Sequence, residues 1–492
     1  MMRVNLRRVI HNRPHQGDNR LHESECDIGM IGLGVMGRNL ALNMADHGFR
    51  VAGHDKDTNR LRQFNIEAGE LGVRSALNPR QLAFMLEKPR IVMMLVPAGP
   101  IVDSVIKDIL QYLEPDDMII DGGNSLFTDT DVRIRALAER GIHFLGVGIS
   151  GGETGARYGP SIMPGGSRAA YEHIRPIFEA TAARVDGEAC VRYMGSGSAG
   201  HYVKMVHNGI EYALMQLIAE TYDLMKRGLG MTDTDLHSVY ADWNQTELNC
   251  YLLEITAEIF LKVDDISGRP LIDVVLDEAR QKGTGRWASQ NAMELQEPTP
   301  TIHEAVAARD LSSHRNERKT LSTIIGGSVN RYDGKLNTFL IQMRNALYAS
   351  MLIAYAQGFE LLTRASSEYG YDINPEDAAA VWRGGCIIRA AVLEKIKSIF
   401  EEQPNISNLL ASDLGRDLAG RQGDMREVVK TAVDLGIPIP AMMASLAYLD
   451  GYRSEWLPAN LIQAQRDYFG AHTYERVDAK GVFHTKWGMD ER

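Results

Sequence analysis

Lys204, Asn208 and Glu211 fall at i, i+4 and i+7 within the stretch from Gly200 to Tyr212. On a helix that spacing projects all three from one face. An amine, an amide and a carboxylate aligned in this way can bind an oxygen-rich substrate and move protons at it. Ala213, Leu214, Leu217, Ile218 and Leu224 continue the period as an apolar stripe, which predicts that the helix is buried. A bare Lys/Glu pair on a helix is more often a solvated bridge. The case for chemistry therefore rests on what surrounds this one.

Upstream, Gly32-Leu33-Gly34-Val35-Met36-Gly37 follows the apolar run Ile28–Ile31 and opens a helical period. In that context GxGxxG reads as a dinucleotide-binding turn. Gly32 permits the sharp turn, Gly34 lets the backbone approach a pyrophosphate, and Gly37 allows close helix packing. Asp55, about 20 residues on, ends a second strand where a carboxylate would accept from ribose hydroxyls. It would repel a 2′-phosphate and so favours NAD, while Lys56 beside it offsets part of that repulsion.

Three further segments could contact a ligand. Asp121-Gly122-Gly123-Asn124-Ser125 and Gly148-Ile149-Ser150-Gly151-Gly152 each follow a strand, at the carboxyl edge where such sheets bind ligands. Asn124 and Ser150 can hydrogen-bond hydroxyls or a carboxylate. Lys282-Gly283-Thr284-Gly285-Arg286 lacks Walker spacing, but its Lys and Thr fit a sugar phosphate, as Arg309 and Arg466 also would.

The elements that must position these groups follow from periodicity. Short apolar runs alternate with helical periods from residue 27, predicting a Rossmann-like, doubly wound parallel α/β domain over residues 27–199. Strands are expected at Ile28–Ile31 and at residues 50–52, 91–95, 118–120 and 143–145. A Gly/Ser-rich hinge, residues 195–200, closes that domain. Residues 200–457 read as a large all-α domain. It contains an internal duplication, because residues 208–225 align without gaps on residues 345–362. At that offset Lys204 falls on Ile341 and Glu211 on Tyr348, so the second copy keeps the packing and drops the proton-transfer groups. Residues 458–492 form a C-terminal tail rich in aromatics, with little helical period after Arg466, expected to dock on another surface.

Bulk properties narrow the class. The 492 residues carry a net charge of -11 and 44% hydrophobic content, as in a soluble multidomain protein and unlike a non-specific nucleic-acid binder. No apolar run reaches the ~18 residues that would span a bilayer. Four scattered cysteines with no CxxC imply reduced core thiols in the cytoplasm and no metal site. Residues 1–26, with Arg3, Arg7, Arg8, Arg13 and Arg20 and few acids, read as a disordered extension.

Taken together, the segments 32–43, 121–124, 159–166, 282–285 and 458–472 and the Lys204 helix strongly resemble the decarboxylating 6-phosphogluconate dehydrogenases. The resemblance runs from Ile28 to Trp487. It implies oxidation of 6-phospho-D-gluconate at C3 and loss of carbon dioxide to give D-ribulose 5-phosphate, in the oxidative pentose phosphate pathway of gluconate utilization. Under it, Lys204 matches the general base that later acts as an acid, and Glu211 the acid that protonates C1 of the enediol. Asn124, Ser150, Gly151, Gly152, His207 and Asn208 match substrate contacts. Tyr212, Lys282, Thr284 and Arg309 match the phosphate side. Arg466 and His472 match residues supplied by the other subunit of a homodimer. The glycine loop, Val96, Ala98 and Asn124 fall at coenzyme-binding positions, and Asp55 and Lys56 join them from the reading of the second strand's end.

Two departures stand out. The family usually has Asn-Arg-Ser/Thr where this chain has Asp55-Lys56-Asp57, so the resemblance implies NADP while Asp55 argues for NAD. Many members have Val-Lys-Ala-Gly where this chain has Val96-Pro97-Ala98-Gly99. The chemistry needs Lys204 to start neutral, which burial and cationic neighbours such as His207 would favour. The rival readings are a β-hydroxyacid dehydrogenase that does not decarboxylate and a catalytically silent nucleotide-binding protein. The first would not need Lys282, Arg309 or the tail; the second predicts a broken proton-transfer set.

Overall fold

The computed structural model describes residues 26–281, 283–326 and 330–488. The expected extension therefore lies outside the described residues, except Cys26. That residue is already part of the fold, donating its N–H to the Met85 carbonyl and bridging to Leu86.

The first half is built on β1 Ile28–Ile31, β2 Val51–His54, β3 Val73–Ser75, β4 Ile91–Met94, β5 Met118–Asp121, β6 His143–Ser150 and β7 Ser161–Gly166. They form one sheet in the order β3-β2-β1-β4-β5-β6-β7. Neighbours pair in parallel, with Ile28 opposite Val51 and Met94 opposite Asp121. The β6–β7 pair is antiparallel, Ser150 facing Ser161. Covering the sheet are α1 Val35–Asp46, α2 Thr58–Ala68, α3 Pro79–Met85, α4 Pro100–Leu110, α5 Phe127–Ala138, α6 Gly152–Tyr158 and α7 Arg168–Thr181. Ile28 and Met30 enter one hydrophobic cluster and Ile31 enters another, so β1 is buried on both faces as a central parallel strand must be. The strand order reverses between β1 and β4, which opens a crevice at their carboxyl ends. A short hairpin, β8 Arg184–Val185 and β9 Glu188–Ala189, follows.

The expectation of a purely parallel sheet missed β3 and the antiparallel β7. Pro164 and two glycines depress the strand propensity of β7, and its pairing with β6 overrides them.

The second half is helical: α8 Ala199–Asp223, α9 Asp233–Trp243, α10 Tyr251–Leu261, α11 Thr284–Glu294, α12 Pro300–Ser313, α13 Arg315–Ile324, α14 Leu336–Tyr369, α15 Pro375–Trp382, α16 Val392–Glu402, α17 Asp413–Leu435 and α18 Pro440–Tyr452. Among the described residues, no helix is long and apolar enough to cross a membrane. The two repeat copies, α8 and α14, pack against each other. Their continuations also meet, where Cys250 bridges antiparallel to Ala390. The duplication extends to helix capping. Glu220 on α8 accepts from the Ala441 and Met442 N–H groups at the start of α18 (2.8 and 2.9 Å). Gln357, its counterpart on α14, accepts from the Thr301 N–H at the start of α12 (3.1 Å).

In the tail, α19 Ala459–Gly470 runs only four residues beyond Arg466, after which little helical period was expected, and is followed by β10 Tyr474–Glu475 and β11 Val482–Phe483. The tail closes on the Asp467 carboxylate, which accepts from the Thr473 and Thr485 N–H groups and from the Trp487 indole.

Candidate active site

α8 reaches the sheet edge through glycines. A Cβ at Gly148 on β6 would collide with the Lys204 side chain and lie 2.9 Å from the Gly200 carbonyl. A Cβ at Gly200 would meet the backbone of Gly146, Met163 and Gly165. Only backbone-to-backbone packing brings α8 this close, and it sets Lys204 beside the carboxyl end of β6.

The polar face of α8 is a connected, buried set. His207 Nε2 lies 3.2 Å from Ser150 Oγ, and its Nδ1 lies 3.3 Å from Lys204 Nζ and 3.1 Å from Asn208 Oδ1. Asn208 Nδ2 donates to Thr284 Oγ1 at 2.8 Å. That leaves Asn208 Oδ1 to accept from His207 Nδ1–H, with Nε2 accepting from Ser150. Glu211 Oε2 stands 3.7 Å from His207 Nδ1. Arg309 lays its guanidinium 3.5 Å above the Tyr212 ring centroid, a close cation–π contact. Gly285 abuts the same ring, so a side chain there would displace it.

Burial sets the protonation states. Desolvation lowers the Lys204 pKa, against the opposing influence of Glu211 and Cys386. It pushes His207 well down, with Lys204 acting in the same direction. His207 is therefore neutral, and the expectation that it would act as a cation on Lys204 is corrected. Burial raises the Glu211 carboxyl, with Lys204 and Arg309 opposing. An amine biased toward neutral and a carboxyl biased toward its acid form thus share one helix face. That pair can take a proton and return another.

Alongside lies a cavity of about 920 Å³. It is lined by Gly32, Gly34, Val35, Met36, Gly37, Asp55, Lys56, Val96, Ala98, Asn124 and Thr284 among the expected residues. Leu33 is not a lining residue; its side chain is fully buried and its N–H donates to Asp55 Oδ2 at 2.7 Å. Gly32 has φ +92°, and a Cβ there would come within 2.5 Å of the Leu95 carbonyl, whereas Gly34 opens toward Arg60 Nη1 at 3.8 Å. The turn is thus a backbone cradle that suits a pyrophosphate at the start of α1.

Asp55 is more occupied than expected. Oδ2 also faces Arg60 Nη1 (3.4 Å), and Oδ1 accepts from the Asp57 N–H (2.8 Å). Arg60, Pro97 and Trp287 line the cavity and were not anticipated. Arg60 was findable: it lies in the first turn of the helix that Asp57 caps.

Other expected residues are placed as follows. Gly151 has φ +121° and presses against the Gly385 carbonyl, and Gly152 with φ +61° starts α6. Thr284, expected in a turn, begins α11. Lys282 lies outside the described residues. Arg466 pairs with Gln463 Oε1 (3.0 Å) and His472 sits edge-on to Phe469 (5.9 Å); neither lines the cavity. The four cysteines are free and buried.

A doubly wound sheet with a glycine cradle, feeding a buried Lys/Glu helix of a second, helical domain, defines a two-domain dinucleotide-binding protein. Residues 27–195 match the NAD binding domain of 6-phosphogluconate dehydrogenase, and residues 200–487 match the C-terminal domain of the same protein. The chain belongs to the 6-phosphogluconate dehydrogenase family. It is 48% identical to the NADP(+)-dependent, decarboxylating 6-phosphogluconate dehydrogenase of Bacillus subtilis (strain 168), covering 94% of this chain and 99% of the relative. It is 47% identical to the decarboxylating enzyme of Escherichia coli (strain K12), over the same shares. The Plasmodium falciparum 6-phosphogluconate dehydrogenase structure, described in apo form and with NADP+ or 6-phosphogluconate, superposes with a TM-score of 0.91 at 42% identity, covering 94% of this chain and all of that one.

Proposed function

We propose that this chain oxidises 6-phospho-D-gluconate at C3 and decarboxylates the product to D-ribulose 5-phosphate. One observation carries the reading: Lys204, buried and biased toward its neutral form, stands with Ser150, His207 and Asn208 beside the nucleotide cavity. Bound NADP+ supplies the hydride acceptor. Lys204 Nζ takes the C3 hydroxyl proton as the hydride leaves. The resulting ammonium then donates to the new C3 carbonyl oxygen, so that electrons from the breaking C1–C2 bond collect in an enediol as carbon dioxide departs. Glu211 delivers a proton to the carbon that becomes C1 of the product. Ser150 and Asn208 orient the substrate hydroxyls, and Tyr212, Thr284 and Arg309 hold its phosphate end, with Lys282 assigned there from the resemblance alone. Carbon dioxide release coupled to coenzyme reduction on 6-phosphogluconate is the test; oxidation without carbon dioxide would favour the simple hydroxyacid dehydrogenase.

For the coenzyme the reading is NADP+, with the glycine loop, Val96, Ala98 and Asn124 along its length. Both Asp55 oxygens already accept backbone N–H groups, and Arg60 and Lys56 place two cations on the same wall. Asp108 adds a second carboxylate to that wall, 3.6 Å from Lys56, so the reading of a 2′-phosphate rests on the two cations together with the NADP(+)-dependent relative. Arg60→Ala should raise the NADP+ KM about tenfold while leaving that for NAD+ nearly unchanged, as expected for loss of one charge-assisted contact. Equal effects on both would overturn the assignment.

The domain reading stays as 27–199 for the nucleotide, 200–457 for substrate and dimerisation, and 458–492 as an arm. The assembly is a homodimer in which Arg466 and His472 complete the partner's substrate site. Leu461, Ile462 and Phe469 on α19 are exposed, and Arg466 reaches nothing in its own cavity. Light scattering that reports a monomer under assay conditions would sink this part. Four free, buried cysteines support a cytoplasmic location.

A further inference from the structure

Arg133 on α5 lines no part of the cavity, yet its buried guanidinium ties together the two loops that do. Nε and Nη2 donate to the two Asp103 carboxylate oxygens at 2.7 and 3.2 Å, and Nη2 also donates to the Gly99 carbonyl at 3.3 Å. Nη1 faces Asp121 Oδ2 at 3.8 Å and has no hydrogen-bond partner of its own. Gly99 closes the loop after β4, whose Val96, Pro97 and Ala98 form one wall of the cavity.

Asp121 shapes the facing wall. Its Oδ1 accepts from the Gly123 N–H (2.9 Å) and its Oδ2 from Ser125 Oγ (2.6 Å), which fixes the turn that presents Asn124. The Asp121 carbonyl accepts from His201 Nε2 (3.0 Å), and His201 Nδ1 meets Thr130 Oγ1 of α5 (2.7 Å). His201 lies one turn before Lys204 on α8. Asp121 is fully buried, and the Arg133 guanidinium is the cation set against it. Stripping the partner from a buried charge is costly, so the pair is held together.

We propose that Arg133 is a positioning residue for the redox half of the site. It sets the gap between the loop ending at Gly99 and the turn after Asp121, where the nicotinamide half of the coenzyme must enter. The inference rests on the dehydrogenase reading above. A planar guanidinium can span a carboxylate, a carbonyl and a second carboxylate at once, which a lysine cannot. The phosphate-side contacts lie on other elements, and Asn124 is the substrate contact that this turn presents, so the device should act on the coenzyme far more than on the sugar acid.

The test uses the full chain carrying Arg133→Met, Arg133→Lys or Asp103→Asn, with steady-state kinetics, and calorimetric binding of NADP+ and of 6-phosphogluconate separately. We expect the coenzyme KM and Kd to rise about tenfold for either Arg133 change and about threefold for Asp103→Asn, with 6-phosphogluconate affinity within about twofold of wild type. Unchanged coenzyme affinity, or a parallel loss for both ligands, would overturn the proposal. Should Arg133→Met fail to fold, Arg133→Lys and the more solvent-exposed Asp103→Asn decide it by the same criteria. A wild-type chain that binds no nicotinamide nucleotide would overturn the functional reading and this clamp with it. Wild-type activity with wild-type-like variants would remove the clamp alone.

Discussion

Helices α8 and α14 share a sequence pattern and pack on one another, yet only α8 lies on the sheet. Lys204 is buried where its counterpart Ile341 is exposed, and Glu211 faces Lys204 where Tyr348 stacks under the Arg421 guanidinium at 4.5 Å. The glycines account for the difference. Gly200 at the start of α8 lets it approach β6 and β7 backbone to backbone. Among the described residues no such glycine seam on the sheet precedes the second copy. The repeated pattern gives two similar helices, and of the two it is α8 that meets the carboxyl edge of the sheet.

The largest effect should come from removing the amine. Lys204→Met should lower kcat about a thousandfold, within the range for a positioned base, with little loss of thermal stability, since a buried amine is replaced by an apolar chain of similar length. The matching change Ile341→Met in the second copy should leave kcat within about twofold. Comparable activity in both variants would end the functional asymmetry between the copies. Next in size is Gly148→Ala. The added methyl would run into the Lys204 side chain, so α8 must shift from the sheet. We expect a fall in kcat/KM of about a hundredfold from misplacement, with about 1–3 kcal/mol lost from stability by overpacking. A fully active, equally stable variant would show that the seam does not position Lys204.

Glu211→Gln sharpens the comparison through pH. Under the proposed mechanism the oxidation needs neutral Lys204, so kcat/KM should fall as acid protonates the amine. The Glu211 carboxylate raises the Lys204 pKa and opposes burial. Removing that charge should move the acid limb of the profile to lower pH, while kcat drops about a hundredfold through loss of the final proton donor. An acid limb that stays put, or moves up, would mean that Glu211 does not act on Lys204.

Much of this was legible because the signals are local. The glycine loop, the i, i+4, i+7 triplet and the 137-residue repeat offset are read from adjacent or periodic residues. What escaped is long-range. The Pro- and Gly-bearing β7 becomes a strand only by pairing with β6. Asp55 loses its freedom to Leu33 and Arg60, and Arg133 meets Asp103 and Gly99 only after α4 and α5 fold side by side. The cause of the Lys204 shift was half anticipated. Burial does the work, and the neutrality of His207 follows from the same desolvation.

The smallest effect concerns the second half of the same comparison. Glu220 and Gln357 occupy equivalent positions and each caps a helix, α18 in one case and α12 in the other, one with a carboxylate and one with an amide. Burial pushes the Glu220 pKa up from 4.5 to about 7, with its hydrogen-bond donors opposing. A carboxyl whose folded pKa is raised binds more protons folded than unfolded across that interval. Its contribution is therefore most favourable below the unfolded value and declines as pH rises toward 7, by about 3 kcal/mol at most. Glu220→Gln, which copies the cap of the other repeat, should make thermal midpoints measured between pH 5 and 8 decline less steeply with rising pH; the slope that remains includes Glu360, which burial pushes up to about 8. Gln357→Glu should create a slope of the same sign in a chain whose α12 is now capped by a carboxylate on α14. If Glu220→Gln left the slope intact, the buried carboxylate would not be its source, and the two caps would be equivalent in charge as well as in place.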